Sequence, residues 1–317
     1  MKKLLITVPC REAVKERLLA EFGSDYAITF AQEDKEIIAR EIVSAEVIVG
    51  EPDPRLLPAA EKLRWMQITW AGADRYTKDF PETVTLTNAS GAFGRIISEY
   101  TLGMILAQYK QLHKYYVNQK KKLWEDLGYE RSLLGKKVLI LGTGNVGSNI
   151  AQKLHAFGTC NVGINRSGRE AAHFDEIHTM DSLDALLPQA DILIGALPKA
   201  TGTVGLLDYR RLKLLKPDAL LVNVGRGTMI VTKDLEAVLA EGHLSGAILD
   251  VVDPEPLPED SPLWDCDRVL LTPHVSGIGF DHEPATEEAI WENCEENLRR
   301  YCQGLPLRNR VDIQAGY

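Results

Sequence analysis

Val138-Leu-Ile-Leu-Gly142-Thr-Gly144-Asn-Val-Gly147 decides the fold: an apolar run passes directly into G-x-G-x-x-G, and a helical pattern follows. The run reads as a buried strand. Gly142 permits a tight turn, Gly144 lets backbone approach an anion, and Gly147 lets helix and strand pack closely. Asn145 and Val146, between the last two glycines, open a helix whose unpaired N–H groups suit a pyrophosphate. Downstream, Ile150, Leu154 and Phe157 recur at helical spacing, and Gly158 is a natural stop. A lone glycine triplet is often only a loop. Strand, turn, helix and a further strand ending near Asn165 make this one a dinucleotide-binding turn.

Working outward, short β-rich runs alternate with amphipathic helical patterns almost throughout, the signature of parallel sheets covered by helices on both faces. Strands are expected at 137–141, 162–164, 192–195, 220–224, 246–251 and 269–272, six in all, with a helix at 146–157. Before them, expected strands at 4–8, 27–30, 47–49, 65–68 and 84–87, with helices from about Glu12 and Asp34, form a smaller domain. A helical segment from Ile97 leads on through 110–124, where Lys120, Lys121 and Lys122 read as a solvated face. Four prolines from Pro254 to Pro262 mark a loop, and the chain turns helical again from Pro284 to about Gln303. The fold class is therefore α/β, with two Rossmann-like or flavodoxin-like doubly wound parallel-sheet domains and the active site in the cleft between them.

Composition agrees. At roughly 150 residues per domain, 317 residues predict about two domains. Hydrophobic residues at 45% and charged residues at 26% fit an ordinary globular protein. A net charge of −9 argues against nucleic acid or an anionic membrane bound through diffuse positive charge. No apolar run approaches the roughly 18 residues of a membrane span, and residues 4–8 are too short for a secretory core. Five cysteines without ligand spacing read as thiols in a reducing cytoplasm, with no metal site.

Three islands carry chemistry. Val224-Gly225-Arg226-Gly227 closes one strand, and glycines on both sides let the guanidinium project from a tight turn. Asp250-Val-Val-Asp253-Pro-Glu255-Pro256 closes the next and fixes a glutamate between prolines. Thr272-Pro-His274-Val-Ser276-Gly277 closes a third. An Arg, a Glu and a His at the ends of parallel strands stand where ligands bind in open α/β sheets. An imidazole suits proton transfer near neutral pH, so His274 is the candidate proton donor, with Glu255 to stabilise and orient its cation and Arg226 to hold an anionic group in a planar fork.

With these residues in place, the chain resembles the D-isomer-specific 2-hydroxyacid dehydrogenases, which include phosphoglycerate dehydrogenase and glyoxylate/hydroxypyruvate reductase. The resemblance covers the glycine motif, Ala196-Leu197-Pro198 with Thr203, the Gly-Arg-Gly island, Asp-Pro-Glu-Pro, Thr-Pro-His and the closing segment with Asn309 and Asp312. It implies a catalytic triad of Arg226, Glu255 and His274. It implies that Asp250 faces the nicotinamide amide and that Leu197, Pro198, Thr203, Val224, Gly225 and Gly277 lie along the cofactor. It further implies a substrate domain of 1–102 plus 282–317, a Rossmann domain of 103–281, and a homodimer. Ala71, Gly72 and Ala73 match the loop whose amides bind the substrate carboxylate. Asn88 resembles a hinge-side strand end, and 98–101 a helix start facing the cofactor. Trp65, Trp70 and Tyr76 either shape the pocket or belong to the core.

Cofactor choice is read from Asn165-Arg166-Ser167, where an acidic residue would usually meet the ribose of NAD. Its absence beside an arginine favours NADP over NAD; the alternative is a generic polar turn in an NAD enzyme. Two functions remain in view: an NAD(P)-dependent oxidoreductase of small 2-keto or D-2-hydroxy acids, of the glyoxylate/hydroxypyruvate type, and a nucleotide-sensing dimeric module resembling corepressors on this fold. Pocket shape depends on side chains gathered by folding, so the identity of the keto acid stays open.

Overall fold

The structure is a computed structural model that describes residues 1–316. In chain order its elements are β1 (Lys2–Ile6), α1 (Glu12–Phe22), β2 (Tyr26–Phe30), α2 (Lys35–Glu41), β3 (Val47–Val49), β4 (Trp65–Gln67), β5 (Thr85–Thr87), α3 (Gly94–Tyr109), α4 (Leu112–Lys120), β6 (Lys137–Leu141), α5 (Asn145–His155), β7 (Cys160–Ile164), β8 (Glu176–His178), α6 (Leu183–Leu186), β9 (Ile192–Gly195), α7 (Tyr209–Leu214), β10 (Leu220–Asn223), α8 (Thr232–Ala240), β11 (Gly246–Leu249), β12 (Val269–Leu271) and α9 (Pro284–Cys302). Short 3-10 turns join several of them. The chain divides into two compact units, residues 1–93 with 278–317, and residues 94–277.

The first unit carries a five-stranded parallel sheet in the order β2-β1-β3-β4-β5, the flavodoxin-like order. Leu5, Ile48, Met66 and Leu86 lie in its core, each from a different strand. The last helix belongs here because its side chains reach the sheet. Trp291, Cys294 and Leu298 are fully buried. Asn297 Nδ2 donates to Gln67 Oε1 at 2.8 Å, and Arg17 of α1 pairs with Glu295 at 2.6 Å.

The second unit carries seven parallel strands in the order β12-β11-β10-β9-β6-β7-β8. Its order reverses between β6 and β9, the switch point at which doubly wound sheets bind ligands at the carboxyl ends of their strands. Leu139, Val162, Leu193, Leu221 and Leu249 fill one side of it. Strands buried on both faces need no alternation, which explains the unbroken apolar runs.

Three expectations are corrected. The sheet has seven strands, not six, because β8 (Glu176-Ile177-His178) is a short edge strand without an apolar pattern. The helix from Ile97 through 110–124 is interrupted: α3 starts at Gly94 and ends at Tyr109, Gln111 is left-handed at φ +54°, and α4 ends at Lys120. None of the α4 residues is buried, so no packing extends that helix. Phe157 is 42% exposed rather than core, since α5 stops at His155 and its buried stripe ends with Leu154. Other strand bounds move by one or two residues, as for β1 at Lys2–Ile6.

A Cβ at position 147 would lie 1.8 Å from the Gly142 carbonyl oxygen, a backbone atom that cannot move aside. Gly147→Ala is therefore expected to cost about 1–3 kcal/mol, lowering the melting temperature and loosening the turn. Thermal unfolding followed by circular dichroism checks this.

Candidate active site

The glycine turn lies at the switch point. Gly142 follows β6 with φ +102°, a conformation that side-chain-bearing residues rarely adopt. Its Cα is crowded by the chain leaving β9, since a Cβ there would sit 2.7 Å from the Ala196 carbonyl. Gly225 is under the same constraint, 2.7 Å from the Leu197 carbonyl. Gly144 is different: a Cβ would meet nothing within 4 Å, so the space before the N-terminus of α5 is open. That opening, the helix terminus and the absence of a carboxylate fit the pyrophosphate of a dinucleotide.

Several residues expected along the cofactor also shape their own loops. Asn165, just beyond β7, donates through Nδ2 to Thr143 Oγ1 (2.9 Å) and to the Arg169 carbonyl (2.8 Å), while its Oδ1 accepts from the Ser167 amide (3.0 Å). The turn bearing Arg166 and Ser167 is thus fastened to the glycine motif. Thr203 Oγ1 accepts from the Ala200 amide at 2.8 Å and lies 2.9 Å from the Pro198 carbonyl, which fixes the loop after Leu197.

Arg226, Glu255 and His274 follow β10, β11 and β12, all at the carboxyl ends of neighbouring strands. Asn223, fully buried, ties the first turn through Nδ2 to the Arg226 carbonyl (3.0 Å) and through Oδ1 to the Gly225 amide (3.2 Å). The Arg226 Nη1 donates to the Gly225 carbonyl at 2.8 Å. Gly227 then runs against the Val252 carbonyl, where a Cβ would come within 1.9 Å. Arginine turn and glutamate turn are in backbone contact, and this is why a glycine follows the arginine.

The Glu255 carboxylate is shared. Oε1 accepts from the Val252 amide at 3.2 Å, and Oε2 faces His274 Nδ1 at 3.0 Å. Nδ1 therefore carries the proton of that bond, which leaves Nε2 as the position that serves a substrate oxygen. The imidazole is 49% exposed and open to a ligand.

What holds His274 is a residue credited only with cofactor contact. Asp250 is 1% exposed; its Oδ1 accepts from Thr272 Oγ1 (2.7 Å) and the Val275 amide (2.9 Å), its Oδ2 from the Ser276 amide (3.0 Å), and its carbonyl from the His274 amide (2.8 Å). His274 itself stands at φ +56°, a strained geometry for a non-glycine residue. Tyr100 completes the support: its hydroxyl is 2.5 Å from Thr272 Oγ1. Because Thr272 donates to the carboxylate, Tyr100 donates to Thr272. Burial pushes the Tyr100 hydroxyl up to about 12, so it keeps that proton. Tyr100 lies inside α3, past the helix start at Gly94, and its role and that of Thr272 had no local signal in the sequence.

In the first unit, Ala71, Gly72 and Ala73 follow Ile68-Thr69-Trp70. Asn88 Nδ2 donates to the Ala71 carbonyl at 2.8 Å and the Ala89 amide to the Trp70 carbonyl at 2.9 Å. Trp65 and Tyr76 are core residues, whereas Trp70 is 43% exposed. A cavity of about 240 Å³ at the amino ends of β6, β9 and β10 is lined by Arg131, Lys136 and Lys216. Its charges are largely met internally, Lys216 by Asp191 at 3.0 Å and Arg131 by Asp218, and it lies at the end of the sheet opposite the glycine turn.

Residues 102–276 match the D-isomer specific 2-hydroxyacid dehydrogenase, NAD binding domain family. The chain belongs to the D-isomer-specific 2-hydroxyacid dehydrogenases. It is an NAD(P)-dependent oxidoreductase. It is 30% identical over 279 residues to glyoxylate/hydroxypyruvate reductase A of Photorhabdus laumondii, covering 85% of this chain and 87% of that one. A solved family member from Aeromonas salmonicida superposes with a TM-score of 0.88 at 34% identity, over 98% of this chain and 99% of the other. The NADPH-dependent glyoxylate/hydroxypyruvate reductase of Sinorhizobium meliloti, solved with NADP and sulfate, gives 0.84 at 28% identity over the whole of both chains. Among the described residues of the dehydrogenase, no helix is long and apolar enough to cross a membrane, and its cysteines are free thiols.

If Thr272 transmits the hold of Tyr100 and Asp250 to the histidine, Thr272→Val lowers kcat on the order of ten- to a hundredfold, the scale of a small misplacement of a reacting group. Thr272→Ser keeps the hydroxyl and restores activity. Steady-state kinetics, with NADPH binding followed by fluorescence, separates this from loss of the cofactor site.

Proposed function

We propose that the enzyme reduces small 2-keto acids of the glyoxylate/hydroxypyruvate type with NADPH, and that Arg226, Glu255 and His274 are its catalytic residues. The observation that carries this reading is the His274 imidazole, held by Glu255 at 3.0 Å on a loop fixed by Asp250, in the same unit as an open glycine turn. Gly142, Gly144, Asn145, Val146 and Gly147 hold the pyrophosphate. Leu197, Pro198, Thr203, Val224, Gly225, Asp250 and Gly277 line the remainder of the cofactor. The nicotinamide supplies hydride. His274 passes a proton from Nε2 to the substrate oxygen, and Glu255 offsets the positive charge of the ring before transfer. Arg226 is the guanidinium for the substrate and polarises its carbonyl, and within the first unit Ala71, Gly72 and Ala73 are the amides for a substrate carboxylate. The unit of residues 1–93 and 278–317 takes the substrate role and that of 94–277 the cofactor role.

Preference for NADPH rests on Asn165, Arg166 and Ser167. Asn165 brings no negative charge to the ribose, and the cross-bonded turn presents an arginine and a hydroxyl next to it. The likeness to the NADP-bound Sinorhizobium enzyme supports the same choice. The name of the Photorhabdus relative supports the substrate class and favours an enzyme over a sensor.

The test is a panel of keto acids with both cofactors. Glyoxylate or hydroxypyruvate reduction is expected, with kcat/KM for NADPH above that for NADH by on the order of ten- to a hundredfold, one to two charge-assisted hydrogen bonds. Arg166→Ala with Asn165→Asp reverses the preference, and His274→Ala loses about 10²–10⁴-fold in rate. No turnover with any keto acid would favour the sensing module.

The enzyme acts as a homodimer through the segment from Leu112 to Leu134. Trp124 is fully exposed, Tyr129 87%, Leu134 75% and Tyr116 58%. So much apolar surface on one continuous stretch marks an interface, and a second copy satisfies it with its own identical stretch. Trp124→Glu with Leu134→Glu is expected to halve the mass measured by light scattering; an unchanged dimer would place the interface elsewhere.

A further inference from the structure

Glu51 follows β3 in the first unit and is used by none of the chemistry above. Its carboxyl group reaches the chain just ahead of the Ala71–Ala73 turn. Oε1 accepts from the Thr69 amide at 2.5 Å and lies 3.0 Å from Thr69 Oγ1, and Oε2 lies 3.1 Å from the same hydroxyl. From the other side, Asn88 and Ala89 take the Ala71 and Trp70 carbonyls. The loop is thus clamped through the amide and hydroxyl of Thr69 and through two carbonyls. Among the described residues, no acceptor takes the amides of Ala71 and Gly72.

The surroundings of Glu51 contain little countercharge. Arg75, beyond the turn, is the cation that acts on it. Tyr76 gives its hydroxyl to the Pro52 carbonyl at 2.6 Å. Asp53, on the same segment as Glu51, is engaged by Arg55. Cys294 of α9 is a buried thiol pushed well above its ordinary value and is therefore neutral.

We propose that Glu51 is a positioning residue for anion binding: its carboxyl group fixes the amide and hydroxyl of Thr69 so that the amides of the turn beyond Trp70 serve the substrate carboxylate. The inference rests on the assignment of Ala71, Gly72 and Ala73 to that carboxylate. The geometry accommodates both protonation states. Ionised, the group accepts from the Thr69 amide and hydroxyl. Protonated, it keeps the amide on one oxygen and donates from the other to Thr69 Oγ1, whose hydroxyl turns from donor to acceptor. Burial raises the carboxyl to about 7, against the lowering effect of the Thr69 donors, so the change of charge falls in the neutral range. Above that value the carboxylate repels an anion on the loop, and anion binding in turn favours uptake of the proton.

Glu51→Gln retains an acceptor for the Thr69 amide and a donor for its hydroxyl while abolishing the titration. Glyoxylate KM, and Ki for oxamate as a carboxylate that is not reduced, are measured from pH 6 to 8.5 with NADPH bound. Wild type and Glu51→Gln are expected to agree at pH 6. At pH 8.5 the variant should bind more tightly, on the order of three- to tenfold, the size of one partly screened charge near the anion. The His274 contribution is common to both proteins and cancels in the ratio. A ratio constant at every pH marks a merely structural role and overturns the proposal. Ala71→Asp, at an exposed position, tests the underlying assignment: if the loop takes the carboxylate, KM rises at least about tenfold. An unchanged KM in that variant defeats the loop assignment, whereas a raised KM with parallel Glu51→Gln profiles defeats only the role of Glu51.

Discussion

The Asp250 carboxylate holds the segment that bears His274 in place. Buried at the end of β11, it would be costly without partners, and it has three donors through its oxygens and a fourth at its own carbonyl. Those donors come from the segment that bears His274. The left-handed geometry of the histidine is therefore sustained by hydrogen bonds on both of its flanks, and the imidazole is left to Glu255 alone. Tyr100 and Thr272 extend the same network into α3, so that helix is tied to the segment that bears His274.

Close backbone approach is the second organising constraint. Gly142 against Ala196, Gly225 against Leu197 and Gly227 against Val252 bring successive strand ends together at distances no side chain permits. The result is a row of turns from the glycine motif to the glutamate loop, each positioned by its neighbour. A net charge of −9 does not by itself bar anionic ligands, because helix amides, loop amides and single arginines act locally. In the first unit Glu51 places a titratable charge beside such a set of amides, which couples anion capture to pH.

Much of this was legible in the chain itself. The apolar run into G-x-G-x-x-G, the strands, the last helix and the three islands follow from periodicity and turn chemistry, which act over a few residues. The misreadings have physical causes of the same scale. An edge strand of three residues, such as β8, carries no pattern, and the helical spacing that includes Phe157 runs past the residue where α5 stops. The segment beyond Gln111 has the composition of a helix without the packing that would prolong one.

Sequence by itself determined the fold class, the family and the identity of the candidate acid, carboxylate and guanidinium, because each is set by residue type within a short stretch. Tertiary structure alone decided the partners. Tyr100 meets Thr272 across 172 residues, Asn297 meets Gln67 across 230, Gly227 abuts Val252, and Glu51 takes the Thr69 amide ahead of Ala71. Contacts of this kind depend on which strand ends lie side by side, and parallel sheets join strands distant in the chain through crossovers that leave no local trace. That is why Asp250 reads as a cofactor contact in the sequence and is, in the folded protein, the anchor of the histidine.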